Sequence, residues 1–189
     1  MACLLTRSRA EACKDSVAGI KEIYFVDFGL LGAYTLGSSD EITNATSLEN
    51  ITAHKYLVKG NNSFETTVNA SRENGTVFFE QVLNITLKKL TKEDNKELKL
   101  LAAGRPHIFV VDQNDNVFLM GKENGADVTA GTVSTGNALG DFNGYNLTFT
   151  AMEKLPPNFV TVDATSATFP LSELIGLGGT VTIGTPASV

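Results

Sequence analysis

The sequence predicts a mainly β fold, a barrel or sandwich with one flanking helix. Three observations carry that expectation. Short runs of alternating apolar and polar residues recur between turn residues along most of the chain, the longest pair of runs meets at Asn74-Gly75, and one segment, 91–103, has a capped helical pattern. Many turn-punctuated strands beside a single helix indicate a sheet that closes or folds back on itself.

Ile20 to Val26 (IKEIYFV) alternates and is rich in β-branched and aromatic residues, which predicts a strand. Residues 28–50 are broken by Gly29, Gly32, Gly37 and a Ser/Asp/Asn cluster, and read as a long loop or loose hairpin. Thr52 to Val58 is a second strand, closed by Gly60-Asn61-Asn62.

Ser63 to Leu90 is a long hairpin. Asn-Gly adopts positive φ at both centres of a type I′ turn more readily than other dipeptides. With Asn74-Gly75 as a two-residue loop, Phe64 faces Ile85, Thr66 faces Leu83, Val68 faces Gln81 and Ala70 faces Phe79. Val77, Phe79, Leu83, Ile85 and Leu87 then share the core face, with Thr76, Glu80, Asn84, Thr86 and Lys88 on the other. Arms of about ten residues exceed the usual strand of about five or six, so the hairpin is expected to reach past its own domain.

Thr91 to Ala103 is the helix. Thr91 is a good N-cap, and Asp94 at the third helical position resembles a capping box. Leu90, Leu98, Leu101 and Ala102 form a narrow apolar stripe, and Gly104 before Arg105-Pro106 ends the helix. His107 to Gly121 is a second hairpin around Asn114-Asp115-Asn116. Val128 to Ser134 is a short strand, and Tyr145 to Met152 a strong one, stopped by Pro156-Pro157. Residues 1–160 read as one domain. Residues 161–189 read as a C-terminal extension, holding either a strand at Thr180 to Ile183 or an arm.

Composition narrows the function. The chain has 189 residues, 42% hydrophobic and 19% charged, which suits a folded domain and not a disordered one. It has no apolar run of about 18 residues, so no spanning helix is expected. The opening MACLLTRSRAEACKD lacks the apolar stretch of a signal peptide. Cys3 and Cys13 are expected to be reduced thiols. Net charge is −6, and from Arg105 onward three basic residues stand against eight acidic ones. Such a balance disfavours binding nucleic acid by counterion release. It suits simple solubility, or an acidic channel wall that lets DNA slide, to which Asp112, Asp115, Asp127 and Asp141 are assigned.

No constellation in the sequence carries chemistry. Asp112, Asn114, Asn116 and Glu123 occupy four positions of a calcium loop, but Val117 stands where that loop needs glycine. Gly131 and Gly136 have the spacing of a phosphate loop, yet Asn137 and Ala138 replace its lysine and hydroxyl residue. His54 and His107 fall in or beside strands without a nucleophile motif, so they read as strand residues. The seven Asn-x-Ser/Thr triplets read as turn and strand-face residues. No enzyme, metal or cofactor is expected.

Two blocks carry a resemblance. Residues 135–160 (TGNALGDFNGYNLTFTAMEKLPPNFV) and 13–25 (CKDSVAGIKEIYF) are similar to tail-tube-like virion ring proteins of tailed bacteriophages infecting Bacteroidetes, including tail-barrel rings of crAss-like phages and tail tubes. The order of elements over 50–160 is also compatible, whereas the segment after 160 departs from a minimal tube subunit. The resemblance implies a tail-tube-like β-barrel or sandwich with a long assembly hairpin. It implies a structural subunit in the virion tail, assembled in the bacterial cytoplasm as a closed six- or twelve-fold ring. Its partners would be neighbouring tail or portal rings, with DNA passing through without specific binding and no membrane.

The expected subunit interface is Phe64, Thr66, Phe78, Glu80, Val82 and Asn84 on the hairpin. The alternative is a monomeric β-sandwich binding module, of adhesin or carbohydrate-binding type. Such a module favours exposed aromatics, and the chain has no Trp and only four Tyr.

Overall fold

The computed structural model describes residues 7–11, 13–47, 49–163, 165–172, 174 and 178–186; Cys3 lies outside them. The first strands are β1 (Ile20–Val26), β2 (Ala33–Leu36), β3 (Ile42–Thr46) and β4 (Ile51–Leu57). The long hairpin is β5 (Ser63–Ser71) and β6 (Thr76–Lys88), followed by α1 (Lys92–Ala103). Then come β7 (His107–Asp112), β8 (Val117–Met120), β9 (Asp127–Ser134), β10 (Gly144–Glu153), β11 (Asn158–Phe159) and β12 (Val181–Gly184).

These strands form a six-stranded sheet, β11-β8-β7-β1-β4-β12, a four-stranded sheet, β5-β6-β10-β9, and a β2-β3 ribbon. Among the described residues no sheet closes on itself, so of the expected barrel or sandwich it is a sandwich that forms. It has one more layer than a simple sandwich.

β1 and β7 explain the extra layer. The expected alternation in IKEIYFV gives way to four consecutive buried residues, Ile23 to Val26, and HIFVV of β7 is buried throughout. A strand reads as a continuous apolar run when both faces of its sheet are covered. On one side Ile23, Phe25, Ile108 and Val110 meet Leu83, Ile85, Leu147 and Phe149 of the four-stranded sheet. Phe25 lies 5.3 Å from Phe149 and 4.9 Å from Tyr56, ring centre to ring centre. On the other side Tyr24, Val26, Phe109 and Val111 pack with Leu31, Ile42, Ala45 and Val160.

The segment beyond residue 160, expected as an extension or inter-ring arm, supplies part of this second cover. Leu171 and Leu174 are each 2% exposed in the same cluster as Tyr24 and Phe109. β12 runs parallel to β4, with Val181 beside Ile51 and Ile183 beside Ala53.

The helix forms as expected at its start. Thr91 accepts a hydrogen bond from the Asp94 N–H through its hydroxyl at 3.0 Å, satisfying one orphan donor of the first turn. Leu98 and Leu101 turn toward the core beside Tyr56, Leu87, Tyr145 and Leu147, whereas Ala102 is exposed, so the apolar stripe is narrower than expected. Tyr145 ties the sheet to the cap by donating to the Thr91 carbonyl at 3.0 Å. No helix among the described residues is long and apolar enough to cross a membrane.

Gly144, in the Asn-Gly-Tyr of the resembling block, is required by packing. A Cβ there would stand 2.1 Å from the Leu87 carbonyl oxygen. That contact forces the backbone apart where β10 joins β6 (Gly144 pairs with Lys88).

If residues 161–189 are an integral layer, Leu174→Ala is expected to lower unfolding free energy by about 2–5 kcal/mol, the usual range for a buried Leu truncation. Urea denaturation monitored by circular dichroism measures this. An unchanged midpoint would show that Leu174 does not hold the central sheet.

Candidate assembly surface

The hairpin register differs from the sequence expectation. Phe64 pairs with Leu83, Thr66 with Gln81, Val68 with Phe79 and Ala70 with Val77, two residues from the expected alignment. The loop is four residues, 72–75, between the closing pair Ser71 and Thr76. Gly75 has φ 62°, whereas Asn74 is not among the residues of positive φ, so the turn cannot be type I′. Asn74 donates its N–H to the Ser71 hydroxyl at 3.2 Å, which favours the wider loop. A shift of two preserves which face each residue occupies. The core face of β6 is therefore as expected, with Leu83 and Ile85 fully buried.

The six expected interface residues do not share a face, in this register or in the expected one. Phe78, Glu80, Val82 and Asn84 lie on the outer face of the four-stranded sheet. Phe64 and Thr66 do not, because residues directly opposite across an antiparallel pair share a face, and theirs are Leu83 and Gln81. Phe64 packs against the core and lies 6.0 Å from Phe118, which is 4.6 Å from Phe159. It joins the two sheets along one side.

The outer face is polar and laced with hydrogen bonds. Asn84 donates to Ser63 at 3.2 Å and accepts from Thr148 at 2.8 Å, linking β5, β6 and β10 in one row. Thr86 donates to Asn146 at 3.0 Å, and the Thr129 and Thr150 hydroxyls bond at 2.8 Å. Glu80 accepts from Asn69 at 3.4 Å. Such cross-strand pairs hold side chains in fixed rotamers and keep the face stiff.

The character changes toward the hairpin tip. β10 ends at the pairing of Glu153 with Phe79, so residues 76–78 pair with β5 alone. Val68 and Val77, on the core side of the hairpin, are 58% and 54% exposed, and Phe78, on the opposite side, is 39% exposed. The hairpin thus outruns the body, with apolar side chains bare on both of its faces.

The four residues expected to line a channel do not come together in the chain. Asp112 organises the β7–β8 turn, where its carboxylate accepts from the N–H groups of Asn114 and Asn116 at 2.8 Å each. Burial pushes its pKa up, but these bonds and those from the two side-chain amides outweigh burial and hold it below the usual range. Asp115 pairs with Lys21 at 2.6 Å. Asp141 accepts the N–H groups of Ala138 and Asn137 at 2.8 Å each, which lower its pKa, in the loop after β9. Asp127 opens β9 on the outer face, opposite Thr150, so the whole of β9 separates it from the Asp141 loop. Glu123, the fourth position of the calcium-like spacing, sits on the β8–β9 crossover, away from the Asp112 turn.

That crossover, residues 121–126, rests on buried polar groups that the sequence analysis passed over. Gln81 accepts the Gly121 N–H at 3.2 Å, and Glu153 accepts the N–H groups of Glu123 and Asn124 at 2.9 Å each. Both sit at core parity on their strands, Gln81 between Phe79 and Leu83 and Glu153 two beyond Ala151. A polar residue at core parity was the available signal.

His107, also buried, lies 2.7 Å through Nδ1 from the Gly121 carbonyl, and its Nε2 accepts the Gly29 N–H at 3.2 Å. These partners select the neutral ring with its proton on Nδ1. Its ring stacks on Phe28 at 5.0 Å, and the Arg105 guanidinium lies over the Phe28 ring at 4.2 Å. Cys13 is exposed with a free thiol.

Compared with protein-family models and with curated proteins, the chain matches none.

Burial lowers the His107 pKa from its ordinary 6.5, only partly offset by the hydrogen bond to Gly121. A depressed folded-state value means that the unfolded chain takes up the proton first. The stability His107 contributes is therefore complete above pH 6.5 and is lost as pH falls below it toward the folded-state value. Thermal melts between neutral and mildly acidic pH are expected to show this decline in the wild type and a flatter profile in His107→Gln. Parallel profiles would remove His107 as its source.

Proposed function

We propose that this chain is a structural subunit of a bacteriophage tail, a ring of the tail barrel or a segment of the tail tube, forming a channel through which the genome passes. The observation that carries the reading is the overhanging β5–β6 hairpin. Exposed Val68, Val77 and Phe78 on a rigid two-stranded projection are costly in an isolated monomer and are satisfied by seating against a second copy. The family resemblance of residues 13–25 and 135–160 supports the same reading, and cyclic closure gives the free edges β5 and β9 a way to be covered.

On this reading the interface uses Phe78, Glu80, Val82 and Asn84 with the tip valines, and Phe64 and Thr66 serve the subunit's own core. The finer tail-tube fold, six- or twelve-fold symmetry and location in the virion tail belong to this proposal. So does passage of DNA without specific binding. The stiff Ser63–Asn84–Thr148 row also suits the rival reading, a monomeric module that docks a polar ligand on that face.

Negative-stain microscopy with mass photometry on the concentrated protein separates the two. The wild type is expected to form closed rings or tubes. Phe78→Asp and Val82→Asp are expected to remain folded, within about 1 kcal/mol of wild-type stability, and to stay monomeric. Rings formed by the double variant would sink this assignment of the face, and a wild type that remains monomeric would favour the binding module.

A further inference from the structure

Asn-Gly occurs three times, at Asn74-Gly75, Asn124-Gly125 and Asn143-Gly144. The dipeptide is chemically labile because glycine has no side chain to shield its backbone nitrogen or restrict its approach to the preceding side-chain amide. The fold treats the three pairs differently.

Asn124 is held on both sides. Its side-chain amide donates to the Met152 carbonyl at 2.7 Å, its own N–H is bonded to Glu153, and the Gly125 N–H is bonded to the Gly121 carbonyl at 3.1 Å. Asn143 is held likewise. Its side-chain oxygen accepts the Leu90 N–H at 3.2 Å, its carbonyl accepts the Lys89 N–H at 2.7 Å, and Gly144 is buried in the β10 ladder against Leu87. Asn74 is tethered only through its backbone, to Ser71. Residues 72–75 are all exposed, and among the described residues nothing but its own chain neighbours lies within 4 Å of where a Gly75 Cβ would stand.

We propose that Asn74, at the tip of the β5–β6 hairpin, is the site where the folded chain undergoes spontaneous deamidation, with Asn124 and Asn143 protected by the fold. The Gly75 backbone nitrogen attacks Asn74 Cγ, losing its proton to solvent as the new N–C bond forms. The Cγ–Nδ2 bond breaks, and the side-chain nitrogen takes up a proton and leaves as ammonia. Water then opens the cyclic imide at either carbonyl, giving aspartate or isoaspartate without any change of oxidation state. Either product places a carboxylate beside Glu73. The isoaspartyl form also inserts a methylene into the backbone of the loop that closes at Ser71 and Thr76. This inference rests on the tip geometry of the unassembled chain, so the incubation is made at a dilution where mass photometry reports monomer, and its outcome is then separate from the assembly reading.

The test is peptide mapping by mass spectrometry of the full chain incubated at mildly alkaline pH, folded and in denaturant. In the folded protein Asn74 is expected to deamidate at least about fivefold faster than Asn124 or Asn143, the factor by which breaking one net hydrogen bond limits opening. In denaturant the three rates are expected to converge. Asn124 or Asn143 keeping pace with Asn74 in the folded protein would overturn the proposal. So would folding suppressing the Asn74 rate as strongly as the other two.

Discussion

The two central strands of the six-stranded sheet are apolar on both faces, and the rest of the molecule is arranged to cover them. Ile23 and Phe25 on one side of β1, and Tyr24 and Val26 on the other, cannot all be buried by a single partner layer. Burying each such side chain contributes about 1.5–3 kcal/mol, so leaving either face bare would cost more than a domain of this size can spare. The four-stranded sheet and the helix therefore cover one face, and the β2–β3 ribbon with the segment through Leu171 and Leu174 covers the other. The C-terminal segment has this role because a second core cluster exists for it to complete.

Covering both faces creates a polar problem at the edges. The chain has to leave the central sheet at Met120 and enter the outer one at Asp127, and the turn between them carries backbone N–H and carbonyl groups at the margin of the core. Gln81, Glu153 and His107 sit at that margin and satisfy those groups from three different strands. A buried backbone group left without a partner costs about as much as a lost hydrogen bond, which explains polar side chains at positions that otherwise point inward. The outer sheet can then use its inner face for packing and leave its outer face entirely to surface chemistry.

How much of this was legible follows from what each residue answers to. The alternation of Tyr145 to Met152 was readable because local pattern and burial agree there, Ile20–Val26 was readable as a strand though not in its two buried faces, and Thr91 was readable because a cap depends on its own neighbours. The hairpin was readable in its faces but not in its register. Parity depends on period two alone, whereas the loop length depends on whether Asn74 takes positive φ, and the Ser71 hydroxyl offers its N–H another partner. The third layer was not legible, because nothing local in residues 161–174 announces that Leu171 and Leu174 join the buried cluster of Phe109 and Tyr24. The local role of the acids was hidden for a related reason. Asp112 and Asp141 look like surface charge in sequence, yet each carboxylate is occupied by the N–H groups of its own turn.

Those occupied acids alter what an acidic channel would require. A carboxylate that accepts two N–H bonds keeps its charge, but it is fixed where the turn puts it, and turns lie at the ends of sheets. On the ring reading Glu80 is taken up in the interface, and the strand-borne acid left to meet a passing polyanion would be Asp127 on β9. That excess is small in one subunit. Closed symmetry would repeat it around the circumference, and it would act on a duplex wherever the wall comes within a Debye length of about 10 Å of the phosphates. On that reading a net charge of −6 per chain would disfavour adhesion of DNA without any single cluster of acids. The Thr129 and Thr150 hydroxyls beside Asp127 would matter as much, because a neutral pair offers a phosphate backbone no cation to hold.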